Sequence, residues 1–169
     1  MANTYKLIES KTLSSAVASV TFTSIPQTYT DLQLLISSRA TQNVSRELIL
    51  IRPNGSTTNH SRKLLFGYDS SLVATGGATD SYIAWQNGNT NTANTFTNTS
   101  IYFPNYTSSN YKSYSADAVA ENNSTSSWIV NLGFGLWSDT NAITSLEITC
   151  ETSTFAVNST FYLYGIKNS

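Results

Sequence analysis

The chain has 169 residues, of which 11% are charged, and its formal net charge at pH 7 is −1. With so few charges and no cluster of Lys or Arg, we expect no binding to nucleic acid, because neutralising phosphates requires a concentrated basic surface. Ten Tyr, seven Phe and three Trp argue against a disordered chain, since disordered segments are poor in aromatic residues.

Apolar and polar residues alternate along most of the chain, which is the pattern of half-buried β-strands. No long stretch shows helical periodicity, although one short helix around residues 60–66 is an alternative. The alternation predicts about ten strands, within residues 5–13, 17–22, 32–39, 47–52, 63–68, 81–85, 96–103, 111–119, 128–137, 143–150 and 160–166.

Turn-forming residues separate these strands. Residues 25–31 are predicted to be a turn-rich connector, and Pro53-Asn54-Gly55 favours a tight hairpin turn. Gly76-Gly77 is predicted to lie in a loop, and residues 86–95, the stretch of lowest complexity, to form a mobile loop. Gly133-Phe134-Gly135 lies inside a predicted strand, which favours a packing role for its glycines.

The spacing of the strands predicts an all-β protein rather than repeated β-α-β units. We expect an antiparallel β-sandwich of the jelly-roll-like kind, because alternation suits strands with one wet face. Residues 1–169 are predicted to form one sandwich domain, with residues 1–12 as a candidate N-terminal arm. The N-terminus has no signal-peptide pattern and no apolar run reaches a membrane span, so we expect a cytosolic origin and no membrane insertion.

Residues with catalytic or metal-binding chemistry are few. His60 is the only histidine, and its polar neighbours favour a solvated loop. The ten acids are scattered, and Asp139-Thr140-Asn141 is typical of a turn rather than a calcium site. Cys150 is predicted to be a small buried side chain, and one Cys with one His cannot complete a zinc site. We therefore predict no enzyme activity, no cofactor and no metal.

The aromatic residues of the predicted strands are the strongest candidates for a binding surface. Aromatic faces among hydroxyl and amide groups suit both sugars and protein partners, although an ordinary core is the alternative. Trp85, Trp128 and Trp137 are predicted to be anchors in the core or in an interface. The candidate interface or glycan contacts are Tyr102, Tyr106, Tyr111, Tyr114 and Trp85.

Four blocks of the sequence resemble a family of small β-rich structural proteins, of the decoration or fibre type, that tailed bacteriophages from aquatic environments encode. The resemblance spans nearly the whole chain and is weakest over residues 40–95. Its blocks are structural and contain no catalytic residues that could be carried over. They comprise TLSS, ASVTFTSIP and YTDLQL (residues 12–34), FTNTSIYFPNY (96–106), GLWSDTNAITSL (135–146) and YLYGIKNS (162–169).

The resemblance implies a component of the virion exterior, assembled in the host cytoplasm. The first hypothesis is a non-enzymatic capsid decoration, cement or head-fibre protein that forms a homo-oligomer, with a trimer as the expected state, and contacts other virion proteins. The alternative is a receptor-binding module of a tail fibre that contacts host-surface glycan through the tyrosines. A depolymerase is disfavoured, because no pair of acids stands out for acid–base catalysis.

Overall fold

A computed structural model describes residues 4–68, 70–123 and 129–167. Within these residues the chain forms twelve β-strands and no helix. In chain order the strands are β1 (Tyr5–Thr12), β2 (Ser19–Phe22), β3 (Asp31–Ser38), β4 (Arg46–Pro53), β5 (His60–Tyr68), β6 (Ser71–Gly77), β7 (Tyr82–Asn87), β8 (Thr97–Phe103), β9 (Lys112–Ala120), β10 (Ile129–Trp137), β11 (Leu146–Cys150) and β12 (Thr160–Ile166).

The strands form two antiparallel sheets. The large sheet has eight strands in the order β1-β12-β3-β8-β9-β10-β5-β6, and the small sheet has four in the order β2-β11-β4-β7. This arrangement confirms the predicted all-β antiparallel sandwich, whereas jelly-roll connectivity stays a prediction. Within the candidate N-terminal arm of residues 1–12, residues 5–12 form β1, which pairs with β12 at one edge of the large sheet.

The inner face of the large sheet, which is turned toward the small sheet, carries the buried side chains. Along β9, every second residue from Lys112 to Ala120 is buried and the residues between them are exposed. The alternation that predicts the strands therefore also decides which side chains enter the core. Residues of this core include Leu32, Leu34, Ile36, Ile49, Ile51, Ile101, Phe103, Ile148, Phe161 and Leu163.

The two sheets are in contact where β7 packs on β9 and β10. A Cβ atom at Gly133 would lie 2.0 Å from the carbonyl oxygen of Ile83 in β7, and one at Gly135 would lie 2.1 Å from the ring of Tyr114. The predicted packing role of these glycines is confirmed, because neither position has room for a side chain.

Residues 71–77 form a strand, β6, that the alternation did not predict. Gly76 and Gly77, which were expected in a loop, end this strand, and Gly76 pairs with Lys63 of β5. The loop prediction is wrong because β6 is exposed along nearly its whole length and so shows no buried face. The strand is held by backbone hydrogen bonds to β5. These bonds do not depend on the polarity of the side chains, so the alternation could not reveal the strand.

Asn54 and Gly55 both have positive φ angles, 51° and 69°, as a tight turn with a left-handed backbone requires. The predicted hairpin is nevertheless wrong, because β4 and β5, which flank the turn, belong to different sheets. The amide oxygen of Asn54 accepts the backbone N–H of Thr144 at 2.8 Å, which ties the turn to the segment before β11.

The alternative of a helix around residues 60–66 is also wrong, since these residues form β5.

Gly133→Ala tests the contact between β7 and β10. We expect it to lower the free energy of unfolding by about 3 kcal/mol, because the added methyl group meets backbone that cannot move aside cheaply. Gly67→Ala is the matched control, since its Cβ would lie 3.4 Å from Val130, an ordinary contact. Denaturant unfolding measures both, and equal stabilities for the two variants would contradict the close approach.

Candidate functional site

Two of the candidate contact tyrosines are core residues. Tyr106 is fully buried, and its hydroxyl donates a hydrogen bond to the carbonyl oxygen of Pro26. Tyr114 is buried with its ring centroid 5.2 Å from that of Phe103, and burial raises the pKa of its hydroxyl. The prediction that Tyr106 and Tyr114 contact a partner or a glycan is therefore wrong, because the inner face of the sandwich encloses both rings.

The other three candidates lie in separate places. Tyr102 is half-buried on β8, and its hydroxyl donates to Asp31 at 2.7 Å, which together with burial raises the pKa of Tyr102 to about 12. Tyr111 is 59% exposed just before β9. Trp85 is half-buried on β7 and packs edge-on against Phe66, with ring centroids 5.9 Å apart. The structure does not bring these three side chains together.

Trp137, the other tryptophan that the structure describes, has the anchoring role that was predicted for it. Trp137 is almost fully buried at the end of β10. Trp128 lies outside the described residues.

His60 is buried at the start of β5, so the prediction of a solvated loop histidine is wrong. The residue pairs with Trp137 of β10 and lies on the inner face of the large sheet, which removes it from water. Its Nε2 lies 3.0 Å from the carbonyl oxygen of Ser56, so Nε2 carries the proton and Nδ1 has no partner among the described residues. Burial lowers the pKa of His60, while the hydrogen bond to Ser56 opposes that change.

The remaining candidates for chemistry have structural roles. Asp139 accepts the backbone N–H of Asn141 at 2.8 Å, which confirms the predicted turn. Cys150 is buried as predicted, and burial is the main cause that raises the pKa of its thiol to about 12. In the part of the chain that the structure describes, no three His, Cys, Asp or Glu side chains are grouped so that they could hold a metal ion.

Arg39 holds in place the loop that was predicted to be mobile. Its guanidinium group is buried and donates to the carbonyl oxygens of Asn91 and Thr92 at 2.7 Å, and of Asn89 and Thr95 at 3.1 Å. These carbonyl groups surround the planar donors of the arginine, so residues 88–95 have a defined conformation. The prediction of a mobile loop is wrong because polar composition reveals nothing of this distant partner.

The outer face of the large sheet, which is turned away from the small sheet, presents an extended surface. Strand register places its side chains in rows across the sheet. From β12 to β6 the outward-facing residues of the strands include three charged ones: Lys63 and Asp117, which are exposed, and Asp31, which is buried beside Tyr102. The face is therefore unusually poor in charge for a surface that meets water.

One part of the outer face is apolar. Leu72 is 74% exposed, Phe134 50% and Leu132 45%, and register sets Leu132 beside Leu65 of β5. Val130 of β10 lies beside Val119 of β9. Monomeric proteins rarely expose apolar groups side by side in this way. We name this surface the apolar patch, and it consists of Leu65, Leu72, Val119, Val130, Leu132 and Phe134.

Shallow hollows adjoin the apolar patch. One of about 280 Å³ lies between Leu65, Leu72 and Val119 and is also bordered by Asp117. Another of about 530 Å³ lies beside Phe134 and is bordered by Arg62, Lys63, Gly76 and Gly77. Both are open depressions of the outer face, so the surface can accept protruding side chains of a partner.

Sequence reasoning missed the apolar patch, although β10 contained a signal for it. In this strand Ile129 and Trp137 point to the core, while Leu132, Phe134 and Leu136 point outward. A strand with apolar residues on both faces is typical of one that is covered on both sides. In the part of the chain that the structure describes, no other segment covers the outer face of β10.

Comparison with known proteins identifies no family for this chain. No protein-family model matches the sequence, and no curated protein matches it either. Among the described residues no helix is long and apolar enough to cross a membrane. A proposal about function therefore depends on the surface chemistry of the large sheet.

The burial of His60 predicts an acid-sensitive fold. Its pKa is lowered in the folded state, so the unfolded chain binds the proton first, near the ordinary value of about 6.5. The stability is fully present above that pH and is lost as the pH falls below it. Unfolding in denaturant at several pH values between about 7 and 5.5, where carboxylates stay ionised, measures this loss.

His60→Gln is the control for this measurement, because it keeps a hydrogen-bonding side chain and removes the titration. We expect the variant to lose less stability over the same pH range than the wild type does. An identical pH dependence of the two proteins would contradict a lowered pKa at His60.

Proposed function

We propose that this protein is a non-enzymatic structural component of the exterior of a tailed-phage virion, of the capsid decoration, cement or head-fibre kind. The observation that supports this most directly is the apolar patch on an ordered strand surface. Contiguous exposed apolar groups mark sites of protein association. The resemblance of the four sequence blocks supplies the virion context.

The composition of the outer face also favours a protein partner. Interface cores are depleted in charged residues, because burying an unpaired charge costs several kcal/mol. The exposed charges on this face between β12 and β6 are Lys63 and Asp117, Asp31 is buried beside Tyr102, and uncharged polar and apolar residues supply the rest. Covering such a surface removes water from apolar groups, and it requires a partner that pairs with Lys63 beside Phe134 and with Asp117 beside Leu132.

Other copies of the chain and other virion proteins are the partners in this proposal. Symmetric homo-oligomers are the commonest assemblies, and a low net charge of −1 provides little repulsion between copies. The proposal gives no catalytic role to His60, which is buried at the start of β5, and none to Cys150, whose thiol is buried.

The proposal predicts that the protein is present at high copy number in purified virions, which quantitative mass spectrometry measures. Leu132→Ser, in the apolar patch, should reduce its incorporation about tenfold, since burying one leucine contributes about 1.5–3 kcal/mol. Leu35→Ser is the matched control, because Leu35 is exposed on the same outer face, on β3, outside the patch. Absence of the protein from virions would contradict the proposal.

A receptor-binding module of a tail fibre is the second candidate function. One observation favours it: a hollow of about 240 Å³ on the outer face is bordered by the Tyr102 and Phe134 rings and by Ser113 and Ser115. An exposed aromatic ring beside hydroxyl groups suits a sugar.

A glycan array tests this second candidate. If the hollow binds host glycan, Phe134→Ala should abolish a signal that Tyr111→Ala leaves intact. A signal that survives Phe134→Ala, or the absence of any signal, would count against the hollow as a glycan site.

A further inference from the structure

The two sheets have four edge strands, and three of them are protected against pairing with another chain. Exposed edges are templates for such pairing, and natural proteins protect them with charges, bulges or short strands. β1 carries Lys6, Glu9 and Lys11, and its register with β12 is broken between Leu7 and Glu9. β2 has only four residues. β7 pairs with β4 through a bulge and packs against β9 and β10.

The fourth edge, β6, has none of these protections. Its sequence, Ser-Leu-Val-Ala-Thr-Gly-Gly, contains no charged residue and no proline. Its register with β5 runs without a bulge from Ser71 to Gly77. Within the described residues its other side pairs with nothing. Alternate backbone N–H and C=O groups along this side therefore lack a strand partner.

We propose that β6 pairs antiparallel with β6 of a second copy of this chain, about a twofold axis that passes beside Ala74. The two large sheets then form one continuous sheet across the dimer. This inference deepens the proposed function. It rests on the proposed function in one respect only, which is that the partner is another copy of the same chain. A twofold pair takes the place of the trimer that was expected from the sequence.

The side chains of β6 fit this self-pairing. Its outward-facing residues are Leu72, Ala74 and Gly76, because they pair with Gly67, Leu65 and Lys63 on the outer side of β5. About a twofold axis at Ala74, Leu72 of each copy lies opposite Gly76 of the other, where the Lys63 side chain of β5 lies over the glycine, so the leucine packs against the methylene groups of that lysine. On the other face Val73 lies opposite Thr75, a β-branched pair of the kind that stabilises cross-strand contacts.

The edge is already ordered for pairing in the single chain. Arg62 of β5 forms an ion pair with Asp80, which follows β6, and the Arg62 guanidinium lies 4.9 Å from the centre of the Tyr82 ring. The carboxylate of Asp80 in turn packs against Gly77, since a Cβ there would lie 2.5 Å from it. Because these contacts fix the end of β6, pairing loses little conformational entropy.

The apolar patch continues to the same edge and explains why a second copy is the occupant. Leu72 belongs both to the patch and to β6, so the twofold axis brings the patches of two copies side by side on one face of the joined sheet. β6 carries no charge that could select an oppositely charged partner. When β6 pairs with itself, in contrast, the side chains of the two copies fit one another.

Charge substitutions at Ala74 test the pairing on the full chain. Ala74→Lys and Ala74→Glu each place two like charges on the axis, and we expect each to weaken dimerisation by roughly 100-fold or more. An equimolar mixture of the two variants, one of them ¹⁵N-labelled, should regain a mixed dimer in native mass spectrometry. A misfolded variant could not be rescued in this way. Ser10→Lys, on the protected edge β1, is the control and should leave the dimer intact.

A cysteine at the axis gives a second, independent measurement. Paired residues of antiparallel strands have Cα atoms about 4.5–5.5 Å apart, which suits a disulfide bond. Ala74→Cys should therefore form a covalent dimer under mild oxidation, and Ser10→Cys should not. The native Cys150 is buried and leaves both readouts clear.

The outcomes separate this inference from the proposed function. A wild-type dimer that Ala74→Lys disrupts and the mixture restores supports the pairing. A trimer, or a dimer that neither charge affects, overturns it and leaves self-assembly through another surface. A monomer that is nevertheless abundant in virions overturns the pairing alone, while a monomer absent from virions overturns both.

Discussion

The contact between β7 and β10 is the constraint on which the rest of the structure depends. Gly133 has no side chain, so the carbonyl group of Ile83 lies directly against β10. Two residues earlier, the amide oxygen of Asn131 accepts the backbone N–H of Trp85 at 3.2 Å, and its amide nitrogen donates to the carbonyl of Ala118 at 3.3 Å. One buried amide thus joins β7, β9 and β10 and fixes how the small sheet lies on the large one.

This two-layer arrangement leaves the outer face of the large sheet without a covering layer among the described residues. The small sheet lies against the inner face of the large sheet, so Phe134 and Leu132 point away from any layer that the described residues supply. A strand with apolar side chains on both sides is stable when both sides are covered. The surface chemistry of β10 is therefore better explained by an assembly than by a lone domain.

Buried polar groups shape the ends of the sandwich. The carboxylate of Glu47 accepts the backbone N–H groups of Thr152 and Ser153 at 2.7 and 2.8 Å, and Arg39 is surrounded by carbonyl oxygens of residues 89–95. Each charge is paired with backbone dipoles rather than with an opposite charge. A sequence rich in Ser, Thr and Asn thus forms ordered loops around a few buried charges, which is why its polar composition is misleading about mobility.

The local alternation of apolar and polar residues was enough to predict the all-β class and the strands with one buried face, such as β9 and β10. It also placed Gly133 and Gly135 inside a strand, where they have a packing role. These features are readable from sequence because side chains of a strand alternate between its two faces every second residue. It could not predict the strand β6, whose order comes from backbone pairing alone, or the buried states of His60, Tyr106 and Tyr114. These depend on which strands become neighbours across long stretches of chain. The outer apolar surface and the unprotected edge are likewise decided by sheet order, a property of the tertiary structure that residues close in sequence do not encode.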